Sequence, residues 1–253
     1  MSSVLEEQLN TIAQWIAEAQ TVVALTGAGI STESGIPDYR GPEGVWTRRD
    51  KGLPPPPMKV PWEDIQPNAG HFALVELMNL GKLDFLISQN VDGLHLQSGI
   101  PVEKIAELHG NHHLWHCLNC NAKYTKDEIG WDERKWGRGY LTEKVRPGMP
   151  TCPQCSGVIR SSIVNFGDPL PQLDFAKAVT FSKKADVFLS IGTSLQVTPA
   201  ADLPNYALRH GAKFVLINQG KTPFDGRADI RIWDAIGDVL PPVVEKVKIL
   251  IEK

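Results

Sequence analysis

All four cysteines of this chain stand in two Cys-x-x-Cys pairs, Cys117 with Cys120 and Cys152 with Cys155. Two such knuckles separated by a loop supply four thiolates to one tetrahedral ion, so the residues between them must fold back until the pairs meet. The predicted metal is a single Zn2+ held by Cys117, Cys120, Cys152 and Cys155. A closed all-cysteine set leaves no position for water, so this zinc is predicted to be structural and not catalytic. The opening residues have neither the basic start nor the unbroken apolar run of a signal peptide. Paired cysteines without a secretory signal point to metal in a reducing compartment, not to disulfides. His112, His113 and His116 neighbour the first pair and are read as packing or surface residues, because four thiolates already complete the tetrahedron. A zinc ribbon that grips nucleic acid is the competing use. Arg134, Lys135, Arg138, Lys144 and Arg146 bias the stretch toward it, but Asp127, Glu128, Asp132, Glu133 and Glu143 offset them.

The rest of the chain alternates strand and helix. Leu5, Leu9, Ile12 and Ile16 recur at helical spacing and predict an amphipathic opening helix. Strands are predicted over residues 21–26, 83–88, 105–108, 185–191, 212–218 and 230–233, and helices over 70–80, 173–181, 199–210 and 236–251. This order predicts an α/β fold: a Rossmann-like parallel sheet with helices on both faces. Residues 1–110 and 161–253 form that unit, and 111–160 form a small inserted zinc-ribbon module. Residues 41–68, with the proline run 54–57, are read as a loop because each ring fixes φ and removes a donor, and are expected to be the cofactor loop of that unit. The net charge of -3 gives no pull toward nucleic acid or anionic membrane. No apolar run approaches the ~20 residues of a membrane helix. An intracellular, cytoplasmic setting is expected, with the nucleus also open to the chain if its source is eukaryotic, and a monomer is favoured.

Several short motifs fall at predicted strand ends, where open α/β sheets bind ligands. Gly27-Ala28-Gly29 lets the backbone approach a pyrophosphate, with a helix to follow. The fingerprint is incomplete, because Thr32 stands where a third glycine is usual, and a plain tight turn fits it equally. Asp38, Tyr39 and Arg40 offer an acid, a ring and a guanidinium that would steer a ribose; an Asp38–Arg40 surface pair is the alternative. Asn90 and Asp92 would pair with a carboxamide, one accepting and one donating, or else cap a helix start. His109 follows a short strand as a candidate general base, or as a satisfied buried histidine; His71 and His210 are read as structural. Gly192, Thr193 and Ser194 after one strand, and Asn218 after the next, suit an adenosine.

Taken in order, GAGIS, SGIPDYRG, QNVDGLH, LHGN, the cysteine pairs, FGD, GTSLQ and the Asn218 strand resemble the sirtuin (Sir2) family over nearly the whole chain. ISQNVDGLH, ELHGN, IGTSLQVTPAADLP and the short Pro-rich segment after Trp46 resemble its class IV branch. The resemblance implies an NAD-dependent protein-lysine deacylase whose partners are acyl-lysine peptides and which uses NAD as co-substrate. It implies that Gly27, Ala28, Gly29, Thr32, Asp38, Tyr39, Arg40 and Trp46 line the phosphate and ribose side. It gives Gln89, Asn90 and Asp92 the ribose and nicotinamide, and His109 the role of general base. Gly192, Thr193, Ser194, Asn218, Gly220 and Ile236 fall to the adenosine end, and Val164, Asn165, Phe166, Gly167, Leu195, Gln196 and Val197 to the peptide, as partners of an added strand. Tyr39 replaces the usual phenylalanine and Asp168 the usual glutamate. The alternatives are a protein mono-ADP-ribosyltransferase using the same site, and a non-catalytic module that binds NAD or nucleic acid.

Overall fold

The computed structural model describes residues 3–252. In chain order the elements are α1 (Ser3–Glu18), β1 (Val22–Thr26), a 3-10 segment (Ala28–Ser34), α2 (Val45–Asp50), a 3-10 turn (Trp62–Asp64), α3 (Ala69–Asn79), β2 (Phe85–Ser88), α4 (Leu94–Ser98) and β3 (Ile105–Glu107). Then come β4 (Leu114–Cys117), β5 (Lys123–Thr125), α5 (Glu133–Trp136), β6 (Ile159–Ser161), α6 (Gln172–Lys184), β7 (Val187–Ile191), α7 (Leu203–Arg209), β8 (Lys213–Ile217), β9 (Ile230–Ile232) and α8 (Ile236–Ile251).

Six of the strands form one sheet in the order β3-β2-β1-β7-β8-β9, and every pairing in it is parallel. Parallel strands need crossovers, and the crossovers cover both faces with helices, so the strands are apolar throughout. β1 shows the result residue by residue. Val22 and Ala24 join a core with Leu5, Leu9, Ile12 and Ile16 of α1, Leu74 and Leu77 of α3, and Val239, Val243 and Val247 of α8. Val23 and Leu25 join the opposite core with Ala178 of α6 and Leu203 and Ala207 of α7. The stripe on α1 is fully used, each leucine or isoleucine contributing about 1.5–3 kcal/mol on burial. The remaining strands make an antiparallel sheet in the order β5-β4-β6, with a core of Trp115, Trp131, Trp136, Ile129 and Ile159 around buried Cys117 and Cys152. No helix among the described residues is long and apolar enough to cross a membrane.

Three expectations need correction. Residues 41–68 are not all loop: α2 sits inside them, its start fixed by Val45 N–H donating to the Asp38 carbonyl at 2.8 Å and Trp46 N–H to the Tyr39 carbonyl at 2.7 Å. The turn after β1 leads into a 3-10 segment and not an α-helix. The predicted helix over 199–210 starts as a 3-10 turn and becomes α-helical only at Leu203.

Candidate functional site

Strand order reverses about β1, whose neighbours β2 and β7 lead their connections to opposite sides, so the crevice beyond its carboxyl end is the place to look for a ligand. The carboxyl ends of β1, β2 and β7 carry small buried polar residues, Thr26, Ser88 and Ser190. The turns after β1 and β7 interlock backbone to backbone. Gly27 N–H donates to the Ile191 carbonyl at 3.0 Å and Gly29 N–H to the Gly192 carbonyl at 2.8 Å. A β-carbon on Gly29 would lie 2.7 Å from Gly192 Cα, and one on Gly192, whose φ is +62°, 2.4 Å from Ile30 N. Side chains are therefore excluded at both turns. Gly192→Ala combines a left-handed alanine with a backbone clash and is expected to cost at least ~2 kcal/mol, read as a lower melting temperature. An unchanged melting curve would mean that the two turns separate freely.

A cleft of ≈ 390 Å³ opens beside this junction. Of the residues expected to hold a dinucleotide, Gly29, Thr32, Asp38, Gly192, Asn218, Gly220 and Ile236 line it. Gly27, Ala28, Tyr39, Arg40, Trp46, Gln89, Asn90, Asp92, His109, Thr193 and Ser194 lie outside its wall. Thr32 is explained: its hydroxyl donates to the Gly29 carbonyl at 2.9 Å and closes the 3-10 turn from within. Glu43, Pro56, Pro57 and Lys59 of the expected cofactor loop 41–68 also line the cleft, as do Glu33 and Asp234, which the sequence reading missed. Asp38 Oδ1 accepts from Gly41 N at 3.0 Å; burial pushes this carboxyl up, against that bond. No Asp38–Arg40 ion pair forms among the described residues. Arg40 is exposed, Tyr39 stacks on Trp46 with ring centres 5.8 Å apart, and Arg49 covers Trp46 from 4.5 Å.

Beyond β2 lies a chain of hydrogen bonds. Asn90 Nδ2 donates to the Gly27 carbonyl and to Ser31 Oγ, both at 3.2 Å, and Ser31 Oγ donates to Asp92 Oδ2 at 2.7 Å. Asp92 Oδ1 accepts from Leu94 N, the first residue of α4, at 3.0 Å, while the N-cap itself is Gly93 and makes no side-chain cap. Both Asn90 amide hydrogens are engaged, which leaves its carbonyl oxygen, and no donor, to face a ligand. Gln89 Nε2 donates to Thr193 Oγ1 at 2.8 Å and ties this loop to the one after β7.

His109 is tied to this loop by one hydrogen bond. Its Nδ1 is 2.8 Å from the Gln89 carbonyl oxygen, which only accepts, so Nδ1 carries the proton and Nε2 holds the free lone pair. Burial pulls the imidazole below the ordinary histidine value of 6.5, and the Gln89 bond partly opposes it. The loop around the ring is clamped. Gly110 is left-handed at φ +81°, and a β-carbon there would meet the Ser162 carbonyl oxygen at 1.8 Å. Ser162 Oγ donates to the Asn111 carbonyl at 2.7 Å, and Asn111 Nδ2 donates to buried Glu107 at 2.7 Å. His71 is structural as expected: buried, it joins Asn68 in a capping box on α3, and burial takes it down to about 4. His95, passed over in the sequence, is also buried, with Nε2 2.9 Å from Thr26 Oγ1. His210 Nδ1 bonds the Tyr206 carbonyl at 2.8 Å.

The segments expected to flank a peptide contain no strand. Val164 N–H donates to the His109 carbonyl at 3.0 Å, and residues 165–168 turn back on themselves, with Asp168 Oδ2 accepting from Asn165 N at 3.1 Å. Phe166 is 86% exposed on that turn. Opposite in the sequence pattern, Leu195 is buried at φ +51°, and Gln196 and Val197 follow as irregular backbone.

The four cysteine sulfurs lie within 4.8 Å of one another. Cys117 and Cys155 sulfurs are 3.5 Å apart and Cys120 and Cys152 sulfurs 3.6 Å, far beyond a disulfide bond. These separations approach the ~3.8 Å edge of a tetrahedron built on Zn–S bonds of ~2.3 Å. The set is positioned to bind one structural zinc. No histidine joins it: His112 instead accepts from Trp62 Nε1 at 3.2 Å.

The sequence matches the Sir2 family over residues 27–55 and 56–199. It is 39% identical over 261 residues to "NAD-dependent protein deacetylase 1" of Pyrobaculum aerophilum, covering 96% of each chain. It is 40% identical over 254 residues to "NAD-dependent protein deacetylase SRT1" of Arabidopsis thaliana; it is covered to 99% and spans 51%, about half, of that longer protein. The fold superposes on the solved structure "Sir2-p53 peptide-NAD+" with a TM-score of 0.70 at 33% identity, over 94% of this chain and 98% of the other.

Proposed function

The chain belongs to the Sir2 family, and from that premise we propose that it is an NAD-dependent protein-lysine deacylase acting through His109. The observation that carries this reading is the fixed tautomer of His109, with a basic Nε2 beside the loop of Asn90 and Asp92. NAD is the co-substrate. Gly29, Thr32 and Gly192 take its phosphates at the glycine junction, and Asn218, Gly220 and Ile236 its adenosine. Gln89, Asn90 and Asp92 face the nicotinamide ribose, with the Asn90 carbonyl receiving the carboxamide N–H. The acyl oxygen of a modified lysine attacks the anomeric carbon, the glycosidic C–N bond breaks, and nicotinamide leaves. His109 Nε2 then takes the proton of a ribose hydroxyl as that oxygen attacks the acyl carbon. The lysine amine departs free, water adds to the acyl carbon, and the bond from that carbon to the anomeric oxygen breaks, which leaves a hydroxyl on the anomeric carbon and the acyl group on the neighbouring ribose oxygen of ADP-ribose. Holding the partners near attack geometry is worth up to ~7–11 kcal/mol.

The segments 164–167 and 195–197 lie in neither sheet, and Phe166 and Gln196 in them keep backbone groups for an added peptide strand. The two separate sheets support a division into the 1–110 and 161–253 unit and the 111–160 zinc module. The short Pro-rich segment after Trp46 supports the class IV assignment, and reduced cysteines support an intracellular setting.

The test incubates the protein with NAD and an acetyl-lysine peptide and follows both product masses. Acyl loss from the peptide matched one to one by nicotinamide and acyl-ADP-ribose is expected. Nicotinamide release without acyl peptide, with ADP-ribose appearing on intact protein, would replace the reading with ADP-ribosyl transfer.

A further inference from the structure

We infer that Arg231, on the outer strand β9, is a positioning residue for the dinucleotide, acting through the carbonyl of Gly220 at the adenosine end of the cleft; this rests on the function proposed above. The Arg231 side chain is 10% exposed and makes polar contacts in three directions. Nε donates to Asp225 Oδ1 at 2.9 Å, Nη2 to the Gly220 carbonyl at 2.8 Å, and Nη1 to the carbonyl of Ile232. Its plane lies over Trp233, 3.5 Å from the ring centre. Asp225 in turn accepts from Thr222 N at 3.1 Å and Thr222 Oγ1 at 2.9 Å. One guanidinium thus closes the whole connection from β8 to β9.

What this closure fixes is a binding group. Asn218 and Gly220 line the cleft, whereas Arg231 does not. Asn218 Nδ2 donates to the same Gly220 carbonyl at 2.9 Å. That bond orients the Asn218 amide and spends one of its donor hydrogens on the protein. Its Oδ1 has no hydrogen-bond partner among the described residues, so the amide offers the cleft an acceptor. A ligand group with N–H or O–H donors, an adenine amino group or a ribose hydroxyl, satisfies it. The Gly220 carbonyl is held in place by Arg231 while it holds Asn218. A lysine at this position is a point charge on a flexible stem and cannot serve Asp225 and two carbonyls from one plane.

Arg231→Lys and Arg231→Met, with Asp225→Asn as a second way to loosen the guanidinium, test this. Each is measured by steady-state kinetics against NAD and against acetyl-lysine peptide, by direct titration with ADP-ribose, and by thermal melting. For Arg231→Lys the expected result is KM for NAD raised about tenfold, the size of one lost charge-assisted hydrogen bond, and ADP-ribose affinity weakened in parallel. Peptide KM and kcat are expected to stay within about twofold of the parent, since Gly220 and Asn218 stand apart from His109. A lower melting temperature in Arg231→Lys with NAD KM and ADP-ribose affinity unchanged would overturn the inference and leave Arg231 a purely structural residue. If Arg231→Met fails to fold, Asp225→Asn decides, with the same NAD-specific rise expected and its absence counting against the inference. A parent protein that turns over acetyl peptide normally while the variants keep parental NAD KM sinks only this inference. A parent that neither binds ADP-ribose nor turns over the peptide sinks the functional reading with it.

Discussion

His109→Ala is expected to lower kcat for deacylation by about 10²- to 10⁴-fold, the usual worth of a positioned general base. NAD affinity is expected to stay near that of the parent, because the glycine junction and the cleft around Asn218 do not include the imidazole. The reason is local. Nδ1–H is committed to the Gln89 carbonyl, so the ring has one basic nitrogen and one fixed orientation. The backbone behind it has no slack, with Gly110 pressed on Ser162 and Val164 bonded to the His109 carbonyl. The same geometry sets the pH dependence. Burial depresses this imidazole below 6.5, so the neutral, proton-accepting form predominates at neutral pH, and activity falls only as pH drops through the depressed value. The acid limb of kcat/KM is therefore expected below 6.5. A limb above that value, or a His109→Ala enzyme with parental turnover, would remove the ring from the proton transfer.

The parts of the molecule that were legible in the sequence are those written in local pattern. α8 begins and ends where the apolar spacing placed it, at Ile236 and Ile251, because its stripe of Val239, Val243 and Val247 faces one core. The apolar runs of β1, β7 and β8 are buried on both faces and could only be interior strands. The cysteine pairs met because spacing and valence left little else. α2 was not legible: six residues with no buried side chain carry no periodicity, and their helix is set by backbone bonds to residues 38 and 39. Nor was the part of the wall made by Glu33 and Asp234, which depends on how distant segments settle over the crevice. Asn90 illustrates the limit within a motif. Its residue type allowed donor and acceptor, and only the tertiary contacts with Gly27 and Ser31 show that its donors are spent.

Zinc removal is expected to have an effect as large as losing His109, by a different route. The antiparallel sheet of β5, β4 and β6 rests on a small core, chiefly Trp115, Ile129, Trp131, Trp136 and Ile159, with Cys117 and Cys152 themselves part of it. Strands of three or four residues cannot hold such a sheet by ladder bonds alone. Structural zinc in small modules contributes an apparent ~10–16 kcal/mol, as much as burial of this whole small core supplies. Chelation is thus expected to melt residues 114–161 and to shift the emission of Trp115, Trp131 and Trp136 toward that of water-exposed indole. Activity is expected to fall with the sheet even though no cysteine touches the crevice. β6 runs directly into Ser162 and Val164, which bond Asn111 and the His109 carbonyl, so the loop that orients the imidazole is anchored on the zinc-held strand. Cys152→Ser should reproduce both losses, and adding zinc back should restore the chelated parent but not the variant. An unchanged melting curve and unchanged turnover after measured metal loss would show that the sheet stands without the ion and that His109 is oriented from the parallel sheet alone.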